Sequence, residues 1–310
     1  MLMTVVICTY ARPELLKITL GTLSLQTLNS KCFEICVIDN AGLKEVRIIA
    51  EEYGARYYNL AVRGLSEARN LGYKVCETEW VLYLDDDIKA PPDLLARFYN
   101  RMLLPYVDVL GGRYLHWFAT QPPRWLRRYY GEGREPIENY KWGELPDHAM
   151  LSGNILAARR TVLLDVGGFR TNKGMSGRNI GWGEDDHFQM DARAKGYRIF
   201  YDPELWLYHL VQPYKYTIEN NLRMAYAMGR DVGKYRNRGA IGVTSLIVAF
   251  GRALLVTFPH TIFYLVSDRG YQWQNMVVDV LSKFSYAWGR FNAPPSEQSP
   301  SAPESLYGKE

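Results

Sequence analysis

The sequence VLYLDDDI at residues 81–88 ends an apolar run in three consecutive carboxylates. The run is short and bounded by polar residues, which predicts a buried strand that ends just before Asp85. Three like charges this close are unfavourable unless a cation or strong donors neutralise them. Hard Mg²⁺ or Mn²⁺ suits a few carboxylates together with water and phosphate oxygens. The stretch therefore predicts a metal site, and the alternative is a solvated acidic turn in which Asp87 caps a helix.

Outward from this stretch, short apolar runs alternate with helical patterns through the first 85 residues. The predicted strands are 4–8, 34–38, 56–59 and 81–84, and the predicted helices are 13–26, 45–53 and 66–75. This alternation indicates βαβ units and a mostly parallel sheet with helices on both faces. Ligands of such sheets bind beyond the carboxyl ends of the strands, where Thr9, Tyr10, Asp39 and the acidic run fall.

The pattern becomes mixed after residue 107. Strands are predicted at 107–115, 151–158 and 197–201, and a helix is predicted to begin near Glu184. Residues 121–147 are rich in Pro, Trp, Tyr and Arg without a clear period, which predicts a long loop or lid. The expected fold class is therefore α/β, with a mixed sheet rather than a purely parallel one.

A second acidic group, Glu184-Asp185-Asp186, opens this last helix after the glycine-rich residues 172–183. In the first turn of a helix, the free N–H groups and the helix dipole favour an ionised carboxylate. An ionised Asp185 at the edge of a loop can act as a general base. The alternative is an ordinary acidic first turn with no catalytic role.

Three further residues can contact a ligand or have a purely structural role. Arg63 and Arg69 flank GLSEARNLG, where a guanidinium can bind phosphate in a bidentate manner, and the alternative is an exposed helix arginine. His209 follows a predicted strand and can be a neutral metal ligand. The alternative for His209 is a hydrogen-bonded core residue.

Composition excludes several classes of protein. The 310 residues contain 47% hydrophobic and 23% charged residues, which is ordinary globular usage and unlike a disordered chain. The net charge is 37 − 33 = +4, too small to indicate nucleic-acid binding. The four cysteines lack zinc spacing and are expected to be reduced. No signal-peptide pattern is visible at the start, so a cytoplasmic location is expected.

The C-terminal third changes character twice. Residues 215–238 contain six basic side chains and two acidic ones, and the apolar residues 241–266 contain one full charge, Arg252. Cations beside apolar helices predict peripheral contact of 215–266 with the cytoplasmic face of a membrane. The alternatives are a packed helical layer or a homodimer interface. Residues 293–310 are rich in Pro, Ser and Glu and are expected to be disordered.

Six motifs in order resemble those of family 2 glycosyltransferases. They are VVICTYARPELLKITLGTLSLQT, VIDNA, GLSEARNLG, YLDDDI, GGF and GWGEDDHFQMDARAKGYRIFYDPELWLYH. The resemblance covers roughly residues 3–210 and implies the GT-A fold, a Rossmann-like mixed sheet flanked by helices. It implies a domain at 1–210, followed by a helical extension at 211–292 and a tail at 293–310. The implied activity is inverting, metal-dependent sugar transfer from a nucleotide-diphosphate sugar with Mn²⁺ or Mg²⁺.

The resemblance also implies a role for individual residues. The nucleotide sugar would contact Thr9, Tyr10, Arg12, Asp39, Arg69, Asp85 and Asp86, with Asp39 accepting a hydrogen bond from the base, typically uracil. The metal would be held by Asp87, Asp85 and His209. Asp185 would be the catalytic base, Glu184 would hold the acceptor or the loop, and Trp182 would pack on the acceptor sugar.

Departures from the family pattern and rival functions complete the expectations. After the second strand, the family's usual run of small residues, Asp and Gly with Ser or Thr is reduced to Asp39-Asn40-Ala41-Gly42. The QxxRW motif of processive synthases is absent, which favours an enzyme that adds a single sugar. The expected acceptor is a saccharide or a lipid-linked saccharide in polysaccharide or glycoconjugate biosynthesis. The alternatives are a sugar nucleotidyltransferase and a catalytically silent glycan-binding or scaffold subunit.

Overall fold

The computed structural model describes residues 1–130, 140–172, 174–175, 180–235 and 243–292. Its N-terminal half contains β1 (Met3–Thr9), α1 (Pro13–Leu23), β2 (Phe33–Asp39), α2 (Lys44–Glu52), β3 (Arg56–Asn59), α3 (Leu65–Val75), β4 (Trp80–Asp85), β5 (Ile88–Lys89) and α4 (Leu94–Met102). The C-terminal half contains β6 (Val109–Trp117), β7 (Gly143–Glu144), β8 (Ile155–Arg159), α5 (Arg160–Val166), α6 (Glu184–Ala194), β9 (Ile199–Leu210), α7 (Ile218–Tyr235), α8 (Val243–Arg252), α9 (Phe258–Ser267) and α10 (Trp273–Phe291).

The strands form one mixed sheet in the order β3-β2-β1-β4-β8-β6-β9-β5, with β7 paired to β9. The pairs β1–β2, β1–β4 and β2–β3 are parallel, as the alternating N-terminal pattern predicts. β8 lies antiparallel to both β4 and β6. The expected α/β class with a mixed sheet and a C-terminal helical region is confirmed.

Both faces of the sheet are buried. Val5 and Ile7 of β1 pack with α1, α2 and α4 in one cluster, and Val6 packs with α3, α5 and α6 in the other. Successive residues of a strand point to opposite faces, so helices must cover both sides of a strand as apolar as β1. Phe98 of α4 and Phe188 of α6 are fully buried, one on each face. The sheet edge that carries the polar loops is held between these two layers.

Several predicted boundaries differ from the structure. The first helix ends at Leu23 rather than at residue 26, because the Gln26 side chain bonds Pro91 and Leu95 of the neighbouring segment. Residues 151–154, predicted as strand, form a turn before β8. The last strand continues to Leu210 instead of ending at residue 201, which places His209 within it.

The helices after β9 leave a long apolar segment exposed. α7 packs closely on α10, where a Cβ on Gly229 would lie 2.0 Å from the Tyr286 carbonyl oxygen. In contrast, the helical stretch Leu246–Ser267 has a mean hydropathy of 1.6 and only 11% of its most apolar window is buried. It is the one described helix long and apolar enough to cross a membrane by length and composition. One face of this stretch packs on α10, as the Phe250–Phe284 ring contact shows, while its outer face is exposed. Peripheral membrane contact, a packed helical layer and a homodimer interface all stay predictions for it.

Some predictions fall partly outside the described residues. In the predicted lid at 121–147, residues Arg124–Arg128 form a 3₁₀ helix and Gly143–Glu144 form β7, while 131–139 lie outside the description. The tail at 293–310 and residues 236–242 also lie outside it. The division into domains at 1–210 and 211–292 stays a prediction.

Candidate active site

A cavity of about 580 Å³ lies at the carboxyl ends of the central strands. It is bordered by the turns after β1, β2 and β4, the turn before β8, the start of α6 and the end of β9. The structure brings together in its lining all but one of the predicted site residues, namely Thr9, Tyr10, Arg12, Arg69, Asp85, Asp86, Asp87, Trp182, Glu184, Asp185 and His209.

Asp85, Asp87 and His209 form a compact group in this cavity. Their ligand atoms lie within 4.8 Å of one another. Asp85 ends β4, and His209 is carried next to it because β9 pairs with β5, with His209 opposite Ile88. His209 Nε2 is 3.1 Å from Asp87 Oδ1 and 3.5 Å from Asp85 Oδ2. Two carboxylates and an imidazole are ligands that suit Mn²⁺ or Mg²⁺.

The electrostatics of the group fit a cation. Asp87 is 4% exposed, and its Oδ1 atom receives no well-aligned hydrogen bond although His209 lies close. Burial lowers the pKa of His209, yet the neighbouring carboxylates Asp87 and Asp85 outweigh burial and raise it to about 9. Burial likewise opposes ionisation of Asp87, but His209 and Arg12 hold its pKa well below the usual range. A buried carboxylate oxygen with no well-aligned donor is suited to metal ligation, and the burial of Asp86 and Asp87 contradicts a solvated acidic turn.

The middle carboxylate, Asp86, faces the turn after β1. It accepts hydrogen bonds from Thr9 Oγ1 at 2.7 Å and from Arg12 Nη1 at 3.1 Å. Burial raises its pKa to about 7, against the opposing effect of Arg12. The Thr19 hydroxyl donates to the backbone carbonyls of Asp86 and Ile88, so α1 holds the acidic turn in place. Asp86 thus holds Thr9 and Arg12, which line the cavity beside it.

The second acidic group opens α6 as predicted, with Gly183 as the N-cap and Glu184 and Asp185 in the first turn. Asp185 accepts a 2.7 Å hydrogen bond from the backbone N–H of Gly153. A Cβ on Gly153 would lie 2.9 Å from Asp185 Oδ2 and 2.8 Å from the Arg69 guanidinium. Only a residue without a side chain allows this approach.

Arg69 connects the two acidic groups. Its side chain is 4% exposed, donates to Glu184 Oε1 at 2.9 Å and lies 3.6 Å from Asp85 Oδ1. It also donates to the Gly153 carbonyl oxygen at 3.1 Å. Burial lowers the pKa of this guanidinium, but the surrounding carboxylates outweigh burial and raise it. Burial raises the pKa of Glu184 to about 7 despite Arg69.

Asp39 lies where sequence reasoning did not expect it, whereas Arg63 takes the exposed position that was its stated alternative. Asp39 is fully buried and outside the cavity lining, because its carboxylate accepts from the N–H groups of Ala41 and Leu43 and from the Tyr57 hydroxyl. Its neighbour Asn40 lines the cavity instead. The predicted contact between Asp39 and a base stays a prediction. Arg63 is exposed, with its guanidinium 5.7 Å from the centre of the Tyr10 ring.

Trp182 lines the cavity beside Asp185, and α7 holds the segment that carries it. The Trp182 backbone N–H donates to Asp231 at 2.9 Å, and Arg230 donates to the Ile180 carbonyl oxygen at 2.8 Å. Helix α7 therefore holds the segment that leads into α6. The sequence carries no local signal for this contact, because Asp231 is 49 residues away.

The cavity residues that sequence reasoning missed include Gly153, Gln212 and Lys215. Gln212 Nε2 donates to Asp87 Oδ2 at 2.6 Å. Gly153 and Gln212 have no motif of their own, and Lys215 was assigned only to the basic segment. The spacing of Gln212 and Lys215 from His209, three and six residues, is a signal that could have indicated a common site.

A mixed sheet of this order, with two carboxylates and a histidine grouped at its carboxyl edge, defines the class of glycosyltransferases with a GT-A fold. The family model "Glycosyl transferase family 2" matches residues 4–165, more than half of the chain. The chain belongs to this family and is a glycosyltransferase.

Curated relatives match over most of the chain. It is 23% identical over 244 residues to the succinoglycan biosynthesis protein ExoM of Rhizobium meliloti, covering 76% of each chain. It is 26% identical over 222 residues to the glucosyl-dolichyl phosphate glucuronosyltransferase of Haloferax volcanii, covering 64% of each.

Solved structures share the fold. The mannosyltransferase PcManGT from Pyrobaculum calidifontis, in complex with GDP-Man and Mn²⁺, matches with a TM-score of 0.60 and 17% identity, over 91% of this chain and 85% of that one. Residues 1–349 of S. aureus TarS, in complex with UDP, match with a TM-score of 0.55 and 17% identity, over 93% and 90%. At this identity the likeness supports the fold alone.

Proposed function

We propose that this glycosyltransferase moves a sugar, with inversion, from a nucleotide-diphosphate sugar to a hydroxyl of a saccharide or lipid-linked saccharide. The supporting observation is that the Asp85–Asp87–His209 group and Asp185 line one cavity, with Arg69 between the two acidic groups. UDP-sugars are the favoured donors. Mn²⁺ or Mg²⁺ bound by Asp85, Asp87 and His209 would offset the negative charge of the diphosphate.

Asp185 is proposed as the general base. It takes the proton of the acceptor hydroxyl while the acceptor oxygen forms a bond to the anomeric carbon. The bond between that carbon and the diphosphate oxygen breaks, and its electron pair leaves with the nucleoside diphosphate. The Gly153 N–H bond to Asp185 Oδ2 orients the carboxylate. A single displacement of this kind inverts the anomeric centre and needs no carboxylate nucleophile.

The other cavity residues are assigned to the two substrates. Thr9, Tyr10, Arg12, Asp85 and Asp86 surround the nucleotide side, at the carboxyl ends of β1 and β4. Arg69 is placed between the donor diphosphate and the base, and Glu184 holds Arg69. Trp182, next to the base, is proposed to pack on the acceptor sugar.

The experiment is a panel of UDP-, GDP- and dTDP-sugars incubated with candidate saccharide acceptors and Mn²⁺ or Mg²⁺. We expect metal-dependent release of one nucleotide, abolished by EDTA and by Asp87→Ala. Asp185→Asn should abolish transfer while nucleotide binding persists. Asp191→Asn is a matched control on the same helix, because Asp191 pairs with Arg170 and does not line the cavity.

Two outcomes would contradict the proposal. Near-wild-type turnover of Asp185→Asn would refute the assignment of the base. Nucleotide binding without release under every condition would instead favour a catalytically silent glycan-binding subunit. A nucleotidyltransferase has no support from the family match, which describes a glycosyl transferase.

We also propose that the exposed stretch Leu246–Ser267 contacts a lipid surface. Its exposed apolar residues include Ile247, Val248, Phe250, Leu254, Leu255, Val256, Ile262, Phe263 and Val266. Trp273, Trp288 and Phe291 of α10 are exposed as well. Arg252 and His260 are exposed within the stretch, which favours a helix lying on the membrane over one that crosses it. We accordingly propose a peripheral position on the cytoplasmic face for the enzyme.

Flotation with liposomes containing anionic phospholipid tests the membrane contact. Wild type should float, and Leu255→Glu with Val266→Glu should not, while both remain folded by circular dichroism. Lys17→Glu is a control on an exposed helix of the catalytic part. Failure of wild type to float would refute the contact. A dimer in solution that the same substitutions dissociate would assign the surface to a homodimer instead.

A further inference from the structure

The short segment after β9 folds over the group of metal ligands. Residues Pro213–Tyr216 form a 3₁₀ helix directly after the strand that carries His209. Gln212 is tied to Asp87 Oδ2 at 2.6 Å, and Tyr214 and Lys215 line the same cavity. Lys215, which the sequence assigned to a membrane-facing basic segment, therefore lies in the catalytic cavity. That assignment is wrong for this residue.

Lys215 differs from the other cations of the cavity. Arg12 is paired with Asp86 and Arg69 with Glu184. Across the described ranges, the Lys215 ammonium makes no ion pair or hydrogen bond, and the centre of the Tyr214 ring lies 5.9 Å away. Burial lowers the pKa of Lys215, while Asp87 and Asp85 act in the opposite direction. A partly buried cation that makes no direct ion pair, although carboxylates lie near it, is suited to a ligand with negative charge.

The position of Lys215 in the cavity indicates which part of that ligand it binds. The proposed nucleoside side of the cavity is formed by the turns after β1 and β2, whereas Lys215 follows β9, beyond β4, β8 and β6 in the sheet. Gln212, three residues before Lys215, donates to Asp87 Oδ2, and both Asp87 and Asp85 act on the pKa of Lys215. Lys215 therefore lies beside the carboxylates proposed to hold the metal and, through it, the diphosphate. Lysine is a compact charge on a flexible stem that suits phosphate oxygens.

We propose that Lys215 binds the terminal phosphate of the nucleoside diphosphate, an inference that rests on the proposed function. As the bond between the anomeric carbon and the terminal phosphate oxygen breaks, that oxygen gains the electron pair. The Lys215 ammonium donates a hydrogen bond to this phosphate and stabilises the added charge. The acceptor proton goes to Asp185, so Lys215 remains protonated throughout the transfer. Gln212 acts as a positioning residue, since its bond to Asp87 holds the segment over the cavity.

The test compares nucleoside diphosphates with monophosphates. Binding of UDP, GDP and dTDP and of the corresponding monophosphates is measured calorimetrically with the full chain and Mn²⁺. Lys215→Met should weaken the diphosphate that binds best by about 10- to 100-fold, as expected for loss of a charged hydrogen bond. Binding of its monophosphate should change by less than about twofold. Lys215→Arg should retain most of the diphosphate affinity, and Lys17→Met, on an exposed position of α1, should have no effect.

The possible outcomes separate this inference from the proposed function. Equal losses for diphosphate and monophosphate, or no loss for either, would overturn the role of Lys215. A wild-type protein that binds no nucleotide with Mn²⁺ would refute the proposed function and this inference with it. Unchanged thermal unfolding of Lys215→Met and Lys215→Gln would show that a selective loss is not a folding defect.

Discussion

Replacing Arg69 by methionine tests the link between the two acidic groups. Methionine keeps much of the volume but removes the charge that faces Glu184 at 2.9 Å and Asp85 at 3.6 Å. The Arg69 and Glu184 side chains are only 4% and 10% exposed, so the pair belongs to the buried class. Removing one partner of a buried pair costs about 3–5 kcal/mol, whereas an exposed pair contributes less than about 1 kcal/mol.

The free energy of unfolding is measured by urea titration with tryptophan fluorescence, at pH 8 and in EDTA. Arg69→Met should lose about 3–5 kcal/mol relative to wild type. In Arg69→Met/Glu184→Gln part of that loss should be recovered, because a neutral amide replaces the unpaired carboxylate. What remains is the Gly153 carbonyl oxygen, which loses a donor at a cost of about 1–3 kcal/mol. Arg47→Met breaks the exposed pair with Glu51 and should cost less than about 1 kcal/mol.

The pH dependence of this loss has a defined sign. Burial places the pKa of Glu184 at about 7 with Arg69 present, and removing the cation raises it further. At pH 5 the Glu184 carboxyl of Arg69→Met is protonated, so no unpaired charge is buried and the destabilisation should shrink. A loss below about 1 kcal/mol at pH 8, or a double variant no more stable than Arg69→Met, would refute the coupling.

Three further predictions concern stability and metal binding. The pKa values of Asp86 and Glu184 are raised to about 7 from 3.8 and 4.5. The stability that their protonated forms give the metal-free protein is therefore fully present below those usual values and is lost as the pH rises through 7. Glu184→Gln should therefore reduce the fall in unfolding free energy between pH 5 and 8, and an unchanged urea profile would contradict this. Asp87→Asn should weaken Mn²⁺ binding at least about 10-fold by calorimetry, since it removes a charged ligand, whereas equal affinity would place the metal elsewhere. Gly112→Ala should lower Tm by roughly 5 °C or more in calorimetry, because the added Cβ would lie 1.8 Å from the Leu205 carbonyl oxygen. An unchanged Tm would contradict the close pairing of β6 with β9.

Features with a local physical cause could be predicted from the sequence. The parallel half of the sheet follows from short apolar runs separated by amphipathic helices, since each run must be buried on both faces. The end of β4 at Asp85 follows from the change from apolar residues to carboxylates. Asp185 lies in the first turn of α6 because the preceding glycines interrupt regular structure. The order of these motifs also identified the family correctly.

The contacts that make a site of these residues were decided only by tertiary structure. Arg69 meets Glu184 across 115 residues, and Gln212 meets Asp87 across 125, through a sheet order that no local pattern encodes. Asp39 has the residue type expected for a ligand contact, yet its own loop uses its carboxylate.

The sequence by itself determined the strands, the helices and the types of side chain that gather at one edge of the sheet, because periodicity and charge are local properties. It could not determine which faces remain uncovered. The stretch Leu246–Ser267 is apolar whether it packs in a core or lies on the surface, and only the structure shows it exposed. Lys215 is basic whether it faces a membrane or a cavity, and the pairing of β9 decided that it faces the cavity. Composition sets what a segment can bury, whereas only the arrangement of its neighbours decides what is buried.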